Sequence, residues 1–187
     1  MFRNIILAFA LLISSFASIF AQDLYYTKTA KVTLDATPAN PVEEIEAVNN
    51  EATSFLNIAN GDLVFAVLVK SFRFQKALME EHFNENYLES SKFPKADFKG
   101  KITNLSVVNF KKDGDYIVNV EGKLTMHGIT LPVNATGTIS VKGGKFKAVS
   151  SFKIKLADYK IDRPSVVKDK ISEEATITID AVYEPKK

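Results

Sequence analysis

The chain has 187 residues, 46% of them hydrophobic and 25% charged, with 24 Lys and Arg against 22 Asp and Glu for a net charge of +2. That length suits one folded domain, and that balance excludes both pervasive disorder and the strongly cationic surface that tracks nucleic-acid phosphates. Cysteine is absent, which excludes disulfides, thiolate zinc sites and thiol nucleophiles; a metal would have to be held by the two His and by carboxylates.

Residues 1–21 open with a single Arg3 and continue as the uncharged apolar run Ile5 to Ile13, softening through Ser14-Ser15-Phe16-Ala17-Ser18 to Ala21-Gln22. This is the form of a secretory leader, with cleavage expected after Ala21. The mature chain, 22–187, is then close to neutral and is expected to work in the periplasm or outside the cell. No later stretch is apolar for long enough to span a bilayer as a helix.

Period-two alternation dominates the rest, the signature of half-buried β-strands. Ala30, Val32 and Leu34 alternate with Thr29, Lys31 and Thr33. The interval from Ile45 to Ile58 fits a strand better than a helical turn. Leu63 to Val69 is apolar on both faces, so a cover over its outer side is expected. Gln75 to Leu88 breaks the alternation: Met79, Phe83 and Tyr87 recur four apart and predict a short amphipathic helix. Alternation returns at Ala96, Phe98, Gly100 and Ile102, and Asp113-Gly114 marks a turn.

From Tyr116, one face carries Val118, Val120, Leu124 and Met126; after a junction at His127-Gly128, the next carries Ile129, Leu131, Val133, Ala135, Ile139 and Val141. Lys142-Gly143-Gly144-Lys145 reads as a tight hairpin turn, because paired glycines supply the positive φ angles such turns need. A strand with Phe146, Ala148, Ser150, Phe152 and Ile154 inward follows, with Lys147, Lys153 and Lys155 on its outer face. Asp158 to Ser172 reads as a long connection. Ala175, Ile177, Ile179, Ala181 and Tyr183 form the last apolar face.

About eight antiparallel strands with one oily face each can pack as a sandwich or curl into a barrel. Gly100, Gly122 and Gly137 inside the strand pattern favour the strongly coiled barrel, with the helix plugging or flanking one end. An eight-stranded barrel is just wide enough to be filled by side chains or by one small guest. The expected lumen is lined by Phe98, Ile102, Val118, Val120, Leu124, Leu131, Val133, Phe152, Ile154, Ile177 and Ile179.

Catalytic signatures are missing. Glu80-Glu81-His82 has no second His one turn away, no Gly-x-Ser-x-Gly elbow occurs, and no glycine-rich phosphate loop precedes a helix. His82 is read as a helix-surface residue with a weaker reading as a contact at the cavity mouth. His127 is read as a turn residue bonding to backbone, with the same weaker alternative.

The segments Phe72-Arg73-Phe74, Met79 through Ser90 and Phe93 through Gly100, together with Gly122-Lys123-Leu124-Thr125-Met126-His127-Gly128-Ile129-Thr130, resemble the YceI-like family, also called polyisoprenoid-binding and lipocalin-like. The likeness runs from about Ala30 to Tyr183, with His82 and His127 as motif-matched positions. It implies a mainly β fold, an eight-stranded antiparallel lipocalin-like barrel with one short amphipathic helix near an end, exported in bacteria and holding a long isoprenoid or other amphiphilic lipid in its pore. The expected function is a binding or carrier protein with no cofactor, no metal and no chemical step. Two other classes stay open: an enzyme using His82 or His127 at the barrel mouth, and an envelope adaptor. A homodimer also stays open.

Overall fold

Among the described residues nine antiparallel strands arise where β-branched and aromatic residues alternate with polar ones. They are β1 (Leu24–Asp35), β2 (Glu46–Asn57), β3 (Asp62–Leu68), β4 (Arg73–Phe74), β5 (Lys95–Ile102), β6 (Gly114–Met126), β7 (Ile129–Lys142), β8 (Lys145–Lys155) and β9 (Glu174–Pro185) in the computed structural model, which describes residues 23–186. The leader expected in residues 1–21 lies outside the described residues. β1 pairs with β9, then β8, β7, β6, β5, β3 and β2 follow in turn, and β2 pairs back onto β1. Eight long strands thus close into a barrel rather than stacking as two layers, and the two-residue β4 adds to β2.

Two tight turns set the registers of the longest hairpins. His127 and Gly128 have φ of 51° and 74°, and Gly143 and Gly144 have φ of 57° and 76°. Positive φ at both central residues gives the hairpin turn whose twist matches the strands it joins. The predicted helix appears as α1 (Ala77–His82), which widens into a π-helical turn over Phe83–Tyr87, where the Leu88 N–H bonds the Phe83 carbonyl at 2.8 Å. Asn84 and Asn86, poor helix formers, sit in that widened turn. The interval around Ile45–Ile58 is the strand β2.

The expected cover over the outer face of β3 is not there among the described residues. Leu63, Phe65 and Val67 point inward and are buried, whereas Val64, Ala66 and Leu68 face outward and are exposed. The strand alternates after all; its solvent face merely happens to be apolar.

Candidate functional site

The inward residues of the barrel do not fill it. They leave a cavity of about 120 Å³ of accessible space, which continues into open solvent. Its wall is almost wholly apolar.

Packing fixes the two ends. At one, Phe146 meets Tyr25, Phe110 and Tyr183 with ring centroids 4.8, 5.1 and 5.0 Å apart, forming an aromatic plug. Ser54 Oγ gives its proton to the Val64 carbonyl at 2.8 Å, so the Tyr183 hydroxyl donates to Ser54 Oγ at 2.6 Å. Burial pushes the Tyr183 hydroxyl well above the ordinary tyrosine range, an effect the Ser54 hydrogen bond only partly opposes. At the other end, the segment from Val69 to Leu88 folds across the opening and presses Val69, Phe72, Phe83 and Leu88 inward. Phe83 sits edge-on to Phe72 at 5.5 Å and against Phe74 at 5.0 Å.

Between the ends, room comes from a pair of small residues. Gly100 on β5 lies directly opposite Gly122 on β6, and the Phe98 ring lies over both. A Cβ at either position would stand 2.5 Å from Phe98 Cζ. The glycines therefore let the largest inward side chain of β5 lie flat on the wall instead of projecting across the lumen.

Of the residues expected in the lumen, Phe98, Ile102, Val118, Val120, Leu124, Val133, Phe152, Ile177 and Ile179 border this cavity. Leu131 packs half-buried beside it, and Ile154 is buried in the surrounding core. The cavity also takes Val32 and Leu34 from β1, Leu56 from β2, Leu63, Phe65 and Val67 from β3, and the four capping side chains. Their inward alternation on β1 and β3 was available as a signal. Of the capping residues, Phe83 had the spacing of the predicted helix as a signal, whereas Phe72 and Leu88 had none.

Neither histidine borders the cavity. His82 is exposed on α1, where its Nδ1 accepts from the Asn86 amide at 3.1 Å. His127 is nearly enclosed: its Nδ1 donates to the Tyr159 carbonyl at 2.8 Å, its Nε2 meets Glu89 Oε2 at 2.8 Å, and the Phe93 ring stands edge-on at 4.7 Å. Its two nitrogens are committed to holding three distant parts of the chain together. Lys147 and Lys153, on the outer face of β8, pair with Asp180 and Glu174 of β9. Among the described residues no group of three or more His, Asp or Glu is placed to hold a metal, and no helix is long and apolar enough to cross a membrane.

Solved structures share this architecture. The chain is similar to a polyisoprenoid binding domain from Saccharophagus degradans implicated in plant cell wall breakdown, with a TM-score of 0.74 at 12% identity over 88% of this chain and 99% of that one. It is also similar to Burkholderia cenocepacia BcnA, with a TM-score of 0.66 at 16% identity over 83% of this chain and 96% of that one. A third, a Campylobacter jejuni YCEI protein, gives 0.59 at 16% identity over 79% and 89%. At such identities the likeness is one of fold. No protein of curated function matches the chain by sequence. The model of the YceI-like domain, however, matches residues 27–183, the span that builds the barrel from β1 to β9, and the chain belongs to the YceI-like family.

Proposed function

We propose that the mature chain is exported and holds one long apolar molecule, a polyisoprenoid or a similar amphiphile, in the barrel cavity without transforming it. The observation that carries this reading is the cavity itself, apolar from the aromatic plug to the helical cap and unfilled by side chains. Each five-carbon isoprene unit moved out of water into such a wall contributes about 4 kcal/mol gross, at roughly 0.8 kcal/mol per carbon. Two or three units offset an association cost that starts at about 4 kcal/mol, with no charged anchor needed. Selectivity then follows the length and branching of the tail. The positions of His82 and His127, both turned to other partners, support a binding role over catalysis at the mouth. The apolar run of residues 5–13 supports export to the periplasm or beyond.

The deciding experiment is native mass spectrometry of the mature protein purified gently from its host, followed by lipid extraction. An extractable long-chain lipid in one-to-one complex is expected. Protein that carries none, and that takes up no apolar probe in solution, overturns the reading.

A further inference from the structure

One seam of the barrel is only half closed. β6 and β7 pair along their full length, from Met126↔Ile129 to Gly114↔Val141, and β8 pairs with β9 from Phe146↔Tyr183 to Lys155↔Glu174. β7 and β8 pair only from Lys142↔Lys145 to Gly137↔Ser150. Below that point Ile129–Thr136 has no strand partner on its β8 side among the described residues, and β8 follows β9 away.

The split is built into the sequence. The next ladder position would join Thr136 to Ser151; instead Ser150 Oγ donates to the Thr136 carbonyl at 2.9 Å, while Ser151 Oγ meets Thr178 Oγ1 on β9 at 3.2 Å. Farther down β7 stands Pro132. Bonded and non-bonded pairs alternate outward from the His127-Gly128 turn, beginning with a bonded Met126–Ile129 pair, which makes Lys123–Pro132 a non-bonded pair. The proline nitrogen therefore points at β8 and has no proton to offer it. Zipping the seam to the bottom would leave that ladder bond unmade.

A second gap, between the first half of β2 and β3, shows what a sealed one looks like. There β4 pairs with Ala47 and Val48, the Asn49 amide donates to the Leu68 carbonyl at 3.0 Å, and Ala47, Asn49 and Ala52 are fully buried. At the β7–β8 gap the inward residues Leu131, Val133, Ala135 and Phe152 are only half-buried. The cavity also reaches Thr138 and Val149, a pair on the outer face of the last closed rows. The wall of the cavity therefore includes the last closed rows of the seam. The gap ends below where His127 ties the foot of β7 to Tyr159, in the turn after β8, and to Glu89. Glu89, His127 and Lys160, which follows Tyr159, are the three non-glycine residues with positive φ among the described residues. Backbone strain is gathered at this one knot.

We infer that the slit between the lower halves of β7 and β8 is the doorway through which an apolar chain enters and leaves the barrel, latched at its foot by His127. This rests on the proposed binding of such a chain. Passage by either end would require breaking up the aromatic plug or lifting four buried capping side chains; the slit exposes apolar wall already.

The test exploits the absence of native cysteine. Asn134→Cys and Lys153→Cys, on the exposed outer faces either side of the slit, are joined by a bifunctional thiol reagent, and the exchange of a fluorescent long-chain probe is followed by stopped flow. The control links Lys153→Cys to Thr176→Cys, its neighbour in the closed β8–β9 ladder. Linking across the slit is expected to slow both loading and release by roughly tenfold or more while the control link leaves them unchanged, because a gate acts on rates in both directions. His127→Ala, which frees the foot of β7, is expected to speed both severalfold. Should the first pair disturb folding, Thr136→Cys with Ser151→Cys closes the slit one step below its upper end. Equal exchange rates in linked and unlinked protein that still binds the probe overturn the doorway and leave the binding intact. Protein that binds no probe in any form overturns both.

Discussion

Val120 offers the sharpest test of what the cavity is for. It sits midway along β6, opposite Ile102 of β5 and Ala135 of β7, and its side chain faces the cavity half-buried. Val120→Asp removes about half of a valine's burial, roughly 1 kcal/mol of stability, because the carboxylate of the empty barrel can keep its water. A guest changes that. Among the described residues no cationic side chain borders the cavity, so a chain lying against β6 strips the carboxylate of water and gives nothing back. An unpaired ion pressed into such surroundings costs several kcal/mol; taking about 3 kcal/mol as the minimum, affinity falls at least a hundredfold. Val120→Thr, similar in volume but carrying one hydroxyl, costs about 1–2 kcal/mol and roughly tenfold. Titration with an apolar fluorophore reads the affinities, and circular dichroism with thermal melting confirms that the barrel is folded. A folded Val120→Asp protein that binds within about threefold of the parent would refute the idea that the guest lies along this wall.

Gly122→Ala brings a Cβ to within 2.6 Å of the Lys99 carbonyl oxygen as well as 2.5 Å of the Phe98 ring, so it is expected to cost about 1–3 kcal/mol in denaturant unfolding, with Phe98→Leu recovering part of the loss. Tyr183→Phe leaves Ser54 bonded to Val64 and is expected to cost about 1 kcal/mol. It should also blunt alkaline unfolding: burial raises the Tyr183 value in the folded state, so its stabilising contribution is full below the ordinary tyrosine value of about 10 and is lost as pH rises from there towards the folded-state value. Unfolding measured against pH in both proteins checks the sign, with Tyr87 and Tyr159, also raised by burial, leaving a residual slope in the variant. Finally, exported protein is expected to begin at Gln22, which intact-mass measurement reads directly.

Where alternation is clean, the chain declares its own architecture. The runs from Tyr116 to Val141 and from Ala175 to Tyr183 specify both the strands and the faces they bury, and nine of the eleven residues read as lumen border the cavity. β1 and β2 are harder, because bulges between Thr27 and Val32 shift the pairing and break the two-residue rhythm. β3 misled for the opposite reason: Val64, Ala66 and Leu68 are apolar although nothing among the described residues covers them. The His127 knot was out of reach, since Glu89 and Tyr159 lie 38 and 32 residues away and nothing local announces them. The half-open seam is a subtler case. Alternation states which way a side chain faces but not how far two strands stay together, and the available signs were a proline inside an otherwise regular strand and two serines in a row opposite it.

A strand left bare along half its length is an invitation to other chains, because unpaired backbone groups are the template on which edge-to-edge aggregates grow. Pro132 withdraws that invitation at the spot where it is most open, since an intruding strand would miss the same proton that β8 misses. The residue that keeps the barrel ajar also keeps strangers from zipping onto it, and replacing it with valine should bring a gain in self-association along with any gain in closure.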